Sequence, residues 1–182
     1  METAFAWIGQ IVAWFGQFIP RLVILDPTQG AIKYKRGKNP IALGAGLHVY
    51  WPLVTTFEIY PTARQTDRLE TQVMETKDGK TFLVSGTLTY AVEDISKLLP
   101  FVAFPTRNTI DVAMTALHDV CCDFDWAELQ SEQRRGTLKT KLRNEAQHQL
   151  GEYGIKVVKL QLNTLARCRV LKVSQSTASE EN

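Results

Sequence analysis

Cysteine, histidine and net charge are all scarce in this chain, and each shortage removes a class of chemistry. Three cysteines, Cys121, Cys122 and Cys168, stand among 182 residues. They offer no C-x-x-C pair and no even number to divide among disulfides. Neighbouring Cys121 and Cys122 point in different directions on a helix, so the reading is free, buried structural thiols in a reducing compartment. His48, His118 and His148 are the only histidines. They are far apart, and none has the H-x-x-x-H or H-E-x-x-H spacing that brings two imidazoles to one metal. Asp119, Asp123 and Asp125 lack the glycine and terminal glutamate of a calcium loop, which leaves them as capping carboxylates. Ser85-Gly86 has no G-x-S-x-G elbow around it. Gly44 and Gly46 have neither the third glycine nor the strand-to-helix setting of a phosphate loop. The expectation is therefore no catalytic residue, no metal and no cofactor. A formal net charge of +2 gives no reason to expect nucleic acid. Also missing is an unbroken apolar run of the ~20 residues that a membrane crossing needs.

What the chain does have is an aromatic-rich stretch at its start. No charge falls between Glu2 and Arg21. At ~100° per residue, Ile8, Ile11, Val12, Phe15, Phe18 and Ile19 form one apolar face. Phe5 precedes them, Trp7 and Trp14 lie on the flank, and Gln10 and Gln17 occupy the other side. Pro20 ends the helix. From residue 4 to residue 19 such a helix is roughly 24 Å long at ~1.5 Å per residue, short of a ~30 Å hydrocarbon core. Flanking tryptophans suit an interface, because the ring is apolar and its N–H seeks a polar partner. The segment reads as a monotopic helix lying in one leaflet, inserted through Phe5, Trp7, Ile8, Ile11, Val12, Trp14, Phe15, Phe18 and Ile19. A core helix packed on its own domain is the plainer alternative. A signal peptide fits poorly, for want of a basic start and a small-x-small cleavage site. Arg21, Lys33, Lys35, Arg36 and Lys38 follow closely. They match either a basic juxtamembrane region on a cytoplasmic face or a solvated hairpin end.

Beyond Pro20 the pattern predicts strands over residues 21–26, 29–35 and 54–60. A turn is expected at 36–40, and a glycine-punctuated loop at 43–48 that runs into Val49-Tyr50-Trp51-Pro52. Residues 64–76 and 80–92 read as a hairpin, its Asp78-Gly79 pair suited to a type I′ turn. Phe82, Val84, Leu88, Tyr90 and Val92 recur at period two, with Gly86 as the gap. Helices follow. Asp94 caps a short turn, and a second helix after Pro105 turns Ile110, Ala113, Met114 and Leu117 inward. Asp125 and Glu128 form a capping box. Ser131 caps a long polar helix whose stripe is Leu138, Leu142, Ala146 and Leu150, with Gly151 and Gly154 as the stop. Residues 155–165 alternate again, and this last strand must rejoin the earlier sheet. The predicted class is α+β, mainly antiparallel sheet with helices. It divides into a terminal helix (1–20), a domain (21–166) and a short tail (167–182).

Four stretches together resemble the SPFH or band 7 family of stomatins, prohibitins, flotillins and bacterial regulators of a membrane protease. They are Gly46-Leu47-His48 leading to Trp51-Pro52, the Thr76-Lys77-Asp78-Gly79 turn, Thr89-Tyr90-Ala91-Val92 with Asp94 after it, and Gly154-Ile155-Lys156-Val157. The likeness spans residues 22–165. It implies an SPFH domain held at a membrane by an N-terminal hydrophobic segment. It also implies assembly as homo-oligomeric rings or cages, or as hetero-oligomers with another SPFH protein, that organise lipids and membrane proteins without catalysis. Ala45 departs from the pattern, standing where the family usually has proline. Residues 166–182 carry no heptads, whereas family members usually continue into a long oligomerising helix. The alternative expectation is therefore a short form that modulates a membrane protease or channel, or that caps a longer relative. In a ring-forming family, the basic residues Arg134, Arg135, Lys139 and Arg143 become a candidate subunit interface. Their counterparts would be Asp119, Asp123 and Glu128 on a neighbour. A solvated helix face is the plain alternative.

Overall fold

Period-two alternation over residues 81–92 makes the central strand of the larger sheet. The computed structural model describes residues 19–100 and 102–168, together with Trp14 and Gly16. Its strands are β1 (Arg21–Leu25), β2 (Gln29–Lys35), β3 (Lys38–Leu43), β4 (Gly46–Tyr50), β5 (Thr55–Pro61), β6 (Gln65–Glu75), β7 (Thr81–Val92) and β8 (Ile155–Arg167). Between β7 and β8 lie α1 (Ile95–Leu98), α2 (Pro105–Cys122), α3 (Trp126–Arg135) and α4 (Thr137–Gly151). The larger sheet runs β6-β7-β8, antiparallel throughout. Phe82, Val84, Leu88, Tyr90 and Val92 are buried on one face of β7. Each large side chain sequestered this way contributes ~1.5–3 kcal/mol. Gly86 fills the gap in that row, where a Cβ would lie 2.9 Å from the Gln161 carbonyl oxygen.

Helices cover that face. The stripe on α4 is Leu138, Leu142, Ala146 and Leu150, all buried as their spacing requires. On α2 the buried set is Thr109, Ala113, Ala116, Leu117 and Cys121, while Ile110 and Met114 are only half-buried. The stripe is rotated because the small side chains Ala113 and Ala116 let the helix approach closely. Burial pushes the Cys121 thiol up to about 12 and also raises that of Cys122. Both behave as structural thiols rather than nucleophiles.

Residues 21–61 build a smaller, layered lobe. Sheet β3-β2-β5 lays Ile32, Tyr34 and Tyr60 against the main core. Its other face meets the separate β1-β4 pair: Tyr50 stacks on Phe57 with centroids 5.5 Å apart, and Lys33 donates to the Val49 carbonyl at 3.3 Å. The expected loop at 43–48 is thus partly strand, because Gly46, Leu47 and His48 pair with Leu25, Ile24 and Val23. The turn expected over 36–40 shrinks to Arg36-Gly37, and Pro40 sits within β3, an edge position where its missing N–H is tolerated.

Two turn assignments change. The type I′ geometry is at Arg36-Gly37, where both φ values are positive (53° and 68°). At residues 76–80 only Gly79 is left-handed, with φ 71°. There the Gly79 amide donates to the Thr76 carbonyl at 2.9 Å, and Thr76 and Lys80 pair across the base. This is a type I turn closed by a glycine bulge, the three-residue hairpin loop. Asp78 keeps an ordinary backbone because its side chain is engaged elsewhere: Thr76 Oγ1 donates to it at 2.5 Å, Lys80 pairs with it at 2.5 Å, and the Trp126 amide donates to it at 3.1 Å. The hairpin tip is thereby fastened to the start of α3, beside the Asp125–Glu128 capping box. The long polar helix is in fact two. Gly136, with φ 78°, breaks it between α3 and α4, and Ser131 lies inside α3 donating to the Glu128 carbonyl.

One close approach joins the start of the helices to their end. Asp94 caps α1 by accepting from the Ser96 amide at 3.0 Å. The Gly154 carbonyl accepts from both Glu93 and Asp94 amides, each at 3.0 Å. A Cβ on Gly154, whose φ is 74°, would sit 2.3 Å from the Asp94 carbonyl oxygen.

Gly154→Ala is expected to lower unfolding stability by roughly 2–5 kcal/mol, from a left-handed backbone (about 1–2 kcal/mol) plus overpacking (about 1–3 kcal/mol). Gly37→Ala, with φ 68° and nothing within 4 Å, keeps only the ~1–2 kcal/mol backbone cost. Urea midpoints of the two variants measure the difference, and equal losses would remove the contact argument.

Hydrogen bonds from Lys80 first, then from Thr76 and the Trp126 amide, hold the Asp78 carboxyl well below the usual carboxylate range. A depressed native pKa stabilises above the unfolded value, near ~4, and that stabilisation is lost as pH falls toward the native value. Asp78→Asn should therefore flatten the loss of thermal stability seen when pH is lowered from about 4. A curve parallel to that of the parent would show the lock to be energetically idle.

Candidate membrane interface

Strands β1 and β4 have two unlike faces, and their register decides which residues meet. Leu22 pairs with Val49 and Ile24 with Leu47. Because successive side chains alternate, these four share one face. That face is bare: Leu22 is 65%, Ile24 74%, Leu47 61% and Val49 55% exposed. The opposite face carries buried Leu25, with half-buried Val23, His48 and Tyr50. It is the side that packs on the rest of the lobe. A two-stranded pair with apolar residues on both faces meets only half its burial requirement among the described residues.

More exposed apolar residues gather at one end of the pair. Arg21 pairs with Tyr50, so the chain enters β1 beside Trp51. Trp51, Leu53 and Val54 are all exposed. The Arg36 amide donates to the Val54 carbonyl at 2.7 Å, which brings the β2–β3 hairpin tip to the same end. Lys35, Arg36 and Lys38 are exposed there. Tryptophan, aliphatic side chains and cations at the end of the lobe where the chain enters β1 make the chemical mixture that a lipid headgroup region accepts. Each cation near an anionic surface adds about 1 kcal/mol.

Of the residues assigned to membrane insertion, Trp14 and Ile19 are described, and both are exposed. Phe5, Trp7, Ile8, Ile11, Val12, Phe15 and Phe18 lie outside the described residues. Among the described residues no helix is long and apolar enough to cross a membrane. Sequence reading passed over Leu22, Ile24, Leu47 and Val49. The signal was alternation on two short runs, which looks the same for a buried strand as for a bare one. Only the pairing shows that both runs turn the same side outward.

The charged residues assigned to a subunit interface are all exposed, but not all are idle. Glu128 accepts from the Asp125 amide at 3.3 Å in the capping box. Asp119 accepts from Gln149 at 3.3 Å. Arg143 Nε donates to the Val157 carbonyl at 3.4 Å, and Arg135 lies 3.9 Å from Glu132. Among the described residues Arg134, Lys139 and Asp123 form no ion pair, and no group of three or more metal-ligating side chains converges.

Because the outward face of β1-β4 is exposed among the described residues, Ile24→Thr with Leu47→Thr should change unfolding stability by no more than about 0.5 kcal/mol per site. Leu25→Ala, on the inward face, should cost about 2–5 kcal/mol. Chemical denaturation of the purified chain reads both, and a large loss in the threonine variant would make the outward face part of the core.

Comparison with known proteins agrees with this architecture. An uncharacterized protein of Archaeoglobus fulgidus is 24% identical over 156 residues. The match takes in 86% of this chain but 62% of that protein, so the chain spans less than two thirds of its relative's length. The model of the SPFH domain / Band 7 family matches residues 23–172. That family consists in general of membrane-associated, oligomer-forming proteins with scaffold-like rather than enzymatic roles. With antiparallel sheets, α+β order and a match across most of its length, the chain belongs to the SPFH domain / Band 7 family.

Proposed function

We propose that this protein is a membrane-anchored, non-enzymatic scaffold. In this reading it lies on the cytoplasmic surface of a bilayer, assembles with copies of itself or with another SPFH protein, and organises lipids or membrane proteins. The observation that carries the reading is the bare apolar face Leu22, Ile24, Leu47 and Val49. It follows directly in sequence on the aromatic segment 5–19, and cations stand at its end. A soluble monomer has no use for such continuity, since large exposed apolar patches mark interaction surfaces. In a bilayer the two parts act together: the helix inserts, and the sheet face lies on the headgroup boundary. Even half-immersion of four side chains, each worth ~1.5–3 kcal/mol when fully buried, adds several kcal/mol to what the helix contributes.

Flotation of the full chain with vesicles of neutral lipid, with and without an anionic lipid, tests the proposal. The protein is expected to float with both and more completely with the anionic mixture, the surplus falling at high salt. Ile11→Asp with Phe15→Asp should release it, whereas Gln10→Ala with Gln17→Ala should not. Ile24→Asp with Leu47→Asp should weaken binding at least tenfold, which is about 1.4 kcal/mol. Full recovery in the soluble fraction, whatever vesicles are added, would sink the scaffold reading.

A further inference from the structure

Helix α4 has opposite charge on its two flanks. Lys139, Arg143 and Gln147 stand at successive i, i+4 positions, and Arg143 and Gln147 reach the β8 carbonyls of Val157 and Ile155. That line is therefore the β8 side of the helix. Arg134 at the end of α3 and Lys159 on β8 are exposed as well. Leu162, with the buried Leu138 and Leu142, floors a small apolar recess beside Lys139. The other flank faces α2, where Gln149 bridges Asp119 and Glu145 at 3.3 and 2.9 Å. Asp119 lies on this flank, and Asp123 and Glu145 line a groove of about 400 Å³ with Lys141 and His148, its apolar wall being Val120 and Phe124. The basic groups on this side are Lys141, His118 and His148. Lys141 is already engaged, 3.2 Å from Glu132 and 4.5 Å above the Phe124 ring. Each flank thus has an apolar floor and exposed charge of opposite sign, with Lys139 and Asp123 in no ion pair among the described residues and Asp119 3.5 Å from His118 Nδ1.

We infer that the α2–α4 flank of one copy receives the α4–β8 flank of the next, joining copies head to tail through Asp119 and Asp123 against Lys139 and Arg143. The occupant is a second copy because the chain supplies both halves of the match. A two-fold contact centred on either flank alone would set like charge on like charge, which is destabilising, whereas the unlike flanks lie on opposite sides of α4. A heterologous contact pairs them, and repetition of one such contact generates a closed ring or an open filament. The formal charge of the whole chain is only +2, so repulsion between copies does not oppose it. The inference rests on the scaffold reading only in requiring that copies meet, and it names the surfaces on which they do.

The test uses the full chain extracted in mild detergent, with mass read by light scattering across a concentration series. The parent is expected to form multi-copy particles that shift toward the 20.5 kDa monomer as salt rises. Lys139→Glu with Arg143→Glu should raise the concentration for half-assembly at least tenfold, and Asp119→Lys with Asp123→Lys should do the same, as expected for close interfacial charge pairs. Mixing the two variants should restore particles, and so should all four substitutions in one chain. Retained flotation and an unchanged circular dichroism spectrum exclude misfolding and separate this result from the membrane reading. A parent that stays monomeric at every concentration would overturn the inference. So would assembly indifferent to either reversal, or no restoration on mixing.

Discussion

The rest of this domain depends on β7. A strand with neighbours on both edges has its backbone donors and acceptors met, so what remains is to cover one apolar face. Thr81–Val92 presents Phe82, Val84, Leu88, Tyr90 and Val92 on that face, and only packed helices can cover so long a row. The polar end of Tyr90 shows how strictly the face is kept dry. Its hydroxyl donates to Asp67 at 3.0 Å, and burial first, then that carboxylate, hold the phenol far above its usual range. The partner strands come from before and after β7 in the sequence. β6 is joined by a tight hairpin, while β8 arrives only after four helices. The turn at Gly154 sets the point of return, because its carbonyl is gripped by Glu93 and Asp94 just beyond the end of β7. Covering the face and closing the sheet are therefore one event. Losing the Gly154 contact would uncouple the register of β8 from the position of α1.

Much of this was legible in the sequence for a physical reason: where one face is buried and the other wet, periodicity has a single solution. The β7 row, the α4 stripe and the Asp125–Glu128 capping box were all readable in that way. What escaped was set by tertiary contact. Asp78-Gly79 has the composition of a type I′ turn, yet Asp78 is held by Trp126, 48 residues away, and the loop adopts the three-residue form instead. Ser131 has the composition of a helix cap, but the break falls at Gly136, where only a left-handed residue allows the chain to turn. The stretch 43–48 looked like a loop because Gly44 and Gly46 dominate it. Its strand character comes from β1, which pairs with Gly46, Leu47 and His48, and from β2, whose Ala31 pairs with Leu43.

The candidate surface was illegible for a different reason. Leu22, Ile24, Leu47 and Val49 are ordinary strand residues, and an algorithm of periodicity assigns them to a core. They are bare because the pair β1-β4 has already used its other face, through Leu25 and Tyr50, to close the small lobe. A sheet pair that is apolar on both sides is a two-sided adhesive, and its second side is left uncovered by the described residues. Of the motif residues that carry the family likeness, Asp78, Tyr90, Asp94 and Gly154 hold the fold's junctions. Leu47 and Trp51, from the first of those stretches, lie on the exposed apolar surface instead.

The two kinds of surface respond to different conditions, and that separation has consequences for assembly. Apolar burial against lipid is insensitive to salt, whereas exposed ion pairs are screened over a Debye length of about 8 Å at physiological ionic strength. Contacts such as Asp119 to Lys139 across copies are therefore individually weak in solution. Confinement at a bilayer changes the arithmetic: tethered copies meet at a raised effective concentration and with their orientation already restricted. Weak pairs then suffice, particularly where each copy in a closed ring is held from both sides. In the proposed reading the membrane contact comes first and the charged flanks act second. Assembly would follow the density of protein on the surface rather than its total amount. A scaffold built on these terms forms where the anchor has already gathered its copies and dissolves when they disperse.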